Sequence, residues 1–261
     1  MIGLLTGSLT YELPGLSDRP RETVRTKFGD AEVTIGELHG VEVAHISRHG
    51  VGHIRLSNHV NHRANIVALK QLGCSAALGL TVCGAVDTTV PLGGLLAFDD
   101  LHFLSNRLAD GSLCTLFETA GEPGRGHWVF EQPFATGLRS AVLDSASSAG
   151  LVVRDGGCYG HVDGPRFNTA AEIRSLSAVG VTAVSQTAGP ETVLAGEAEL
   201  PYALVGYVTD YANGASSQHT PINVFSAMLA ASGESFAKLI EAALPAAASL
   251  SPEPPGSVFR F

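Results

Sequence analysis

The chain has 261 residues, 45% of them hydrophobic and 16% charged, with sixteen Lys and Arg against twenty-five Asp and Glu for a formal charge of −9. That hydrophobic share excludes a disordered chain, and the length suits one large domain with a substantial core. The acidic balance argues against a general binder of nucleic acid or anionic membrane, since each phosphate contact wants a Lys or Arg, but it leaves room for a local cationic pocket holding one small anion.

No apolar run reaches the roughly 18 residues that would suggest a membrane span. The start, MIGLLTGSL, lacks the basic region and small-residue cleavage site of a secretory signal. Cys74, Cys83, Cys114 and Cys158 are widely spaced with no CxxC pair, so neither a zinc site nor a disulfide framework is expected, and a reducing cytoplasm is the simplest home.

In chain order, residues 2–5 read as a strand ending in the turn Thr6-Gly7-Ser8. Residues 33–38 and 41–47 read as a hairpin around His39-Gly40. Over 61–72 the spacing of Ile66, Leu69 and Leu72 predicts a helix, capped by Gly73. The nearly all-apolar run 75–82 predicts a strand covered on both faces. Further strands are expected at 94–98, 156–161, 182–185 and 202–209, and helices at 137–149, 169–178, 192–199 and 222–243. Residues 104–128 read as a long loop, and the Pro/Ala/Ser-rich stretch 245–256 as an extended or mobile end. The expected architecture is α/β: a single domain over 1–244 with a mixed central β-sheet flanked by helices, then a Pro/Ala-rich tail over 245–261.

Four junctions carry candidate chemistry. Thr6-Gly7-Ser8 ends a strand with two hydroxyls around a glycine, which fits either an anion nest or an ordinary turn. Arg48 and His49 open a Gly-flexible loop that also holds His53. The glycines disfavour a helical metal pair, while a guanidinium fork beside an imidazole suits a phosphate; a surface loop with incidental charges reads equally well. Gly164-Pro165-Arg166-Phe167-Asn168 precedes a helix, so Phe167 either stacks on a planar ligand or staples the helix to the core. Asp210 ends an apolar strand, as a turn former or as a partly desolvated acid able to protonate a leaving group.

Taken in order with YELPGL at 11–16, RHGVGH at 48–53, NHVNHRAN at 58–65, Thr81-Val82-Cys83-Gly84, HWVFEQPF at 127–134, DGPRF at 163–167 and Pro190-Glu191, these junctions make a pattern. From about residue 2 to about residue 230 the chain resembles the trimeric nucleoside phosphorylase family, in its 5′-methylthioadenosine phosphorylase and purine nucleoside phosphorylase branch. The resemblance implies phosphorolysis of a purine nucleoside by inorganic phosphate as co-substrate, with no metal and no organic cofactor, in a homotrimer. It implies phosphate binding by Ser8, Arg48, His49, Thr81, Val82 and Thr187, and base and ribose binding by Phe167, Asn168, Gln186, Asp210 and Ala212, with Asp210 as the catalytic acid. It implies a 5′ pocket made by Ile222 and by His127 lent from a neighbouring subunit. Asp210 matches the branch that prefers 6-aminopurines, where the 6-oxopurine branch usually has Asn. Four departures stand out: Thr6-Gly7-Ser8-Leu9 replaces Gly-Gly-Thr-Gly, Gln186 replaces a ribose-contacting Met, Ala212 replaces the second Asp of the adenine-recognition loop, and Asn168, able to reach the base edge, stands where a small residue follows the stacking Phe.

Overall fold

The computed structural model describes residues 1–16 and 19–261. The chain begins with β1 (Ile2–Thr6), β2 (Arg21–Thr26), β3 (Gly29–Leu38) and β4 (Val41–Ser47). Two single-turn helical segments, Val51–His53 and Ser57–His59, lead into α1 (His62–Gln71). Then come β5 (Ala76–Ala85), β6 (Leu95–Ala97), β7 (Asp100–His102), β8 (Gly126–Phe130), α2 (Thr136–Ser148), β9 (Val153–Asp155) and β10 (Cys158–His161). The last third holds α3 (Ala170–Ala178), β11 (Val181–Ser185), α4 (Ala188–Glu197), β12 (Tyr202–Tyr211), α5 (Ile222–Ser249) and β13 (Gly256–Arg260).

An 11-stranded mixed sheet runs β2-β3-β4-β1-β5-β11-β10-β7, with β12 also paired to β5 and leading on to β6 and β9. The sequence AALGLTVCGA of β5 is apolar or small throughout, which suits a strand packed on both faces. Residues of α1 and α4, among them Ile66, Leu69 and Leu194, cover one face of the sheet. Leu138 and Val142 of α2 and Phe236, Leu239 and Leu244 of α5 cover the other.

Local chemistry sets the helix starts. Asn61 accepts from Ala64 N at the head of α1, and Thr169 and Glu172 form a reciprocal capping box at α3. The fourth helix starts at Ala188 and not at the expected residue 192, because Pro190 falls in the first turn, where a missing N–H costs nothing.

The free stretch along β5 positions the site. On one edge, β12 pairs in parallel from Ala77 to Ala85. On the other edge, β1 pairs in parallel only as far as Gly79, and β11 pairs antiparallel only at Gly84 and Ala85. Residues 80–83 therefore face a gap between two strand ends. Loops from the carboxyl ends of β1, β4, β11 and β12 converge there, the place in open α/β sheets where ligands bind.

Several expectations are corrected. The tail is not simply extended: α5 continues through Pro245 to Ser249, because fully buried Leu244 and Ala247 hold the helix to the core past the one hydrogen bond the proline forfeits. Beyond it, β13 folds back antiparallel on β8, with Val258 opposite Trp128. The expected loop 104–128 ends early, as β8 begins at Gly126. The strand expected at 75–82 runs on to Ala85, and the strand expected at 202–209 to Tyr211.

Candidate active site

The gap opens into a cavity of about 240 Å³. Gly7 and Ser8 line it from the turn after β1, closed by Thr10 N donating to Gly7 O at 3.2 Å. The parallel pairing of β1 with β4 continues past the strands, since Arg48 N donates to Thr6 O at 2.9 Å, and this sets Arg48 and His49 beside Gly7.

Arg48 is only 1% exposed and is not on the cavity surface, contrary to a guanidinium turned outward. Its Nε and Nη2 donate to the two carboxylate oxygens of Glu191 at 2.5 and 2.8 Å, and Nη1 donates to Leu80 O, on the free edge of β5, at 2.7 Å. Tyr202 donates to the same carboxylate at 3.0 Å. Burial works against both charges. The neighbouring opposite charge outweighs it, raising the Arg48 pKa further and holding Glu191 below the usual carboxylate range. A guanidinium has five N–H donors, so two remain after these bonds. Nη1 lies beside the cavity, 3.4 Å from where a Cβ on Gly7 would sit.

His49 lines the cavity, stacked on His53 with ring centroids 4.2 Å apart. Its Nδ1 meets Arg55 O at 2.8 Å. A carbonyl only accepts, so Nδ1 carries the hydrogen, and the neutral ring offers Nε2 as an acceptor. Burial lowers the His49 pKa to about 4, which keeps the ring neutral near pH 7.

Thr81 and Val82 line the cavity from the free edge of β5, and the Thr81 hydroxyl lies 3.1 Å from Ser185 Oγ. Thr187 stands at the N-cap of α4 without a side-chain capping bond, so its hydroxyl is left for the cavity. The backbone N–H groups of Thr187 and Ala188 donate to Tyr159 Oη at 3.4 and 3.1 Å.

At the far end, the pairing of β12 with β5 shifts register between Val208 and Asp210. This bulge makes room for Thr209 and Asp210 both to line the cavity. Thr209 Oγ1 donates to Asp210 Oδ1 at 2.8 Å, while burial raises the Asp210 pKa above its ordinary value. Phe167 is 59% exposed and meets Phe225 edge-on at 6.0 Å, so it is not a staple into the core. Asn168, Gln186 and Ala212 also line the cavity.

Two expected residues lie elsewhere. Ile222, in the first turn of α5, is 76% exposed and outside the cavity; one and two turns along the same helix, Phe225 and Leu229 form the wall instead. His127 sits on β8, packed edge-on to Phe261, and does not reach this chain's own cavity. The sequence reading missed Ser57, Ser185, Asn213, Phe225 and Leu229 on the wall, and it gave Glu191, which lies behind the wall, only as part of the Pro190-Glu191 motif with no role. A Glu inside the apolar stretch AGPETVLAGE was the one legible signal among them. Among the described residues no cluster of His, Cys, Asp or Glu could hold a metal ion, and no helix is long and apolar enough to cross a membrane.

The phosphorylase superfamily model matches residues 1–245. The 6-oxopurine nucleoside phosphorylase of Pyrococcus furiosus is 33% identical over 249 residues, covering 94% of this chain and 92% of that one. The S-methyl-5′-thioadenosine phosphorylase of Cereibacter sphaeroides is 35% identical, covering 81% of this chain and 71% of its own. Among solved structures, methylthioadenosine phosphorylase from Schistosoma mansoni in complex with adenine superposes with a TM-score of 0.83 at 25% identity, over 94% of this chain and 90% of that one. With the family model matched over residues 1–245 and a relative 33% identical over 94% of the chain, the chain belongs to the phosphorylase superfamily, among its purine nucleoside phosphorylases, which are pentosyltransferases.

Proposed function

We propose that the protein phosphorolyses 5′-methylthioadenosine or a related 6-aminopurine nucleoside, giving the free base and a ribose 1-phosphate. What supports this is one cavity with a hydroxyl-lined end beside Gly7, with the buried Arg48 guanidinium behind it, and a desolvated carboxyl at the other. Inorganic phosphate would sit at the first end, held by the hydroxyls of Ser8, Thr81 and Thr187, with the spare N–H of Arg48 Nη1 approaching beside Gly7 and the backbone of Val82 beside it. Neutral His49 accepts through Nε2, so it suits a protonated phosphate oxygen. Holding the nucleophile in line with C1′ turns an encounter into an intramolecular step. As the C–N bond breaks, the phosphate anion stabilises the ribosyl cation, and protonated Asp210 donates to N7 of the departing purine. Phe167 packs on the base, and Phe225 and Leu229 offer an apolar wall to a 5′-methylthio group. No cofactor takes part in this scheme. His127, remote from its own cavity, would complete a neighbour's 5′ side in a cytoplasmic homotrimer.

A 6-oxopurine preference is the second reading. Ala212 leaves no second carboxylate for a 6-amino group, and Asn168 and Asn213 both line the wall, with Asn213 Nδ2 donating to the backbone carbonyl of Asn168 at 2.8 Å. Comparing kcat/KM for methylthioadenosine and inosine at saturating phosphate decides between them. A higher value for methylthioadenosine is expected; a strong inosine preference refutes the first choice.

A further inference from the structure

Gln186 lies on the cavity wall directly after β11, yet both ends of its amide are engaged by protein. Oε1 accepts from Ser57 Oγ at 2.9 Å, and Nε2 donates to Arg166 O at 3.0 Å. Ser57 sits in the turn that follows the Arg48–His53 stretch, and Arg166 immediately precedes Phe167. One amide therefore joins the loop on the phosphate side to the loop that carries the aromatic ring. Gly164 closes over this junction, and a Cβ there would run into both Gln186 Oε1 and Ser57 Oγ.

The ring has little else to hold it. Phe167 is 59% exposed and touches Phe225 only edge-on. Its loop is anchored at the ends, by Val162 N donating to Ser185 O at 3.1 Å and by Asn213 Nδ2 on Asn168 O at 2.8 Å. The Arg166–Glu172 ion pair is solvent-exposed and adds little rigidity. In mid-loop the bond to Arg166 O falls on Gln186.

We propose that Gln186 is a positioning residue, a clasp between Ser57 and Arg166 that holds Phe167 over the purine, and not a ligand of the sugar. This rests on the purine reading above. A sugar ligand would act only on substrates that carry a sugar. A clasp acts on the free base as well, and it acts through Ser57.

The experiment is calorimetric binding of free adenine, free hypoxanthine and inorganic phosphate to wild type, Gln186→Met, Ser57→Ala, Ser57→Thr and the Gln186→Met/Ser57→Ala pair. Amide hydrogen exchange over 163–168 in the unliganded proteins accompanies it. The clasp predicts that each of Gln186→Met and Ser57→Ala weakens base binding by about fivefold, as for one lost hydrogen bond. It also predicts that the pair is no worse than either alone, that Ser57→Thr restores binding, that phosphate affinity stays within about twofold, and that exchange over 163–168 quickens in both single variants. Base binding unchanged in Gln186→Met while the nucleoside KM rises would make it a sugar ligand and overturn the proposal, as would additive effects in the pair. Wild type that binds neither base would remove the purine reading itself; unaltered exchange in the variants would remove the clasp alone.

Discussion

At Arg48 the same charge that would hold phosphate also neutralises Glu191 in the interior. Arg48→Ala would strand that carboxylate, at a cost of about 3–5 kcal/mol, so loss of activity in that variant would not separate misfolding from chemistry. Arg48→Met with Glu191→Gln removes both charges while keeping volume and a partner for Tyr202. It should fold cooperatively by circular dichroism and raise the phosphate KM by at least tenfold; a wild-type phosphate KM would exclude Arg48 from the phosphate site. Asp210 makes the complementary case. As a general acid it must be protonated, and burial raises its pKa, so kcat/KM should fall as pH climbs through that raised value. In Asp210→Asn, kcat should drop by about 10²–10⁴-fold and the alkaline fall should vanish from the pH profile. A profile unchanged by the substitution would assign the proton to another group.

At the scale of elements, the ribbon of β8 and β13 shows how packing overrides composition. Val258 is 5% exposed, its N–H donates to Glu199 Oε1 at 3.1 Å, and Arg260 pairs with the same carboxylate. Truncation after Leu250 removes these contacts, and the loss of buried Val258 alone costs about 1.5–3 kcal/mol. The thermal midpoint should fall by several degrees in a melting scan; an unchanged midpoint would mean the ribbon contributes nothing. This element was illegible because a Pro-rich stretch reads as an ending, and its strand is defined by a partner more than a hundred residues upstream. The edge strand β2, RETVRT, was missed for a related reason: its side chains are mostly exposed and polar, so no apolar run announces it. Buried strands such as β5 and β12 were legible because their apolar runs have no other use. In the site, Asp210 and His49 stood out as polar residues at strand ends. Phe225 and Leu229 did not, because which turn of α5 meets the cavity depends on how the helix docks.

For the whole molecule, three buried imidazoles set the response to acid. Burial lowers the His45 and His161 pKa values to about 3 and that of His49 to about 4, all below the unfolded value near 6.5. Their neutral forms are at home in the fold above pH 6.5, and stability is lost as pH falls from there through the folded values, because the unfolded chain takes up the protons first. At pH 5 each costs about 2 kcal/mol, together about 6, against a typical stability of 5–15. Denaturant midpoints should therefore decline steeply between pH 6.5 and 4, with His45→Gln flattening part of the slope; a flat profile would contradict neutral buried rings. The sheet that buries these rings also opens the gap on β5 in which the cavity forms. Phosphorus NMR of the protein with methylthioadenosine and inorganic phosphate tests the central claim most directly. A new sugar 1-phosphate resonance growing in step with released adenine, and no release when phosphate is left out, is the predicted result; base release at the same rate without phosphate would contradict it.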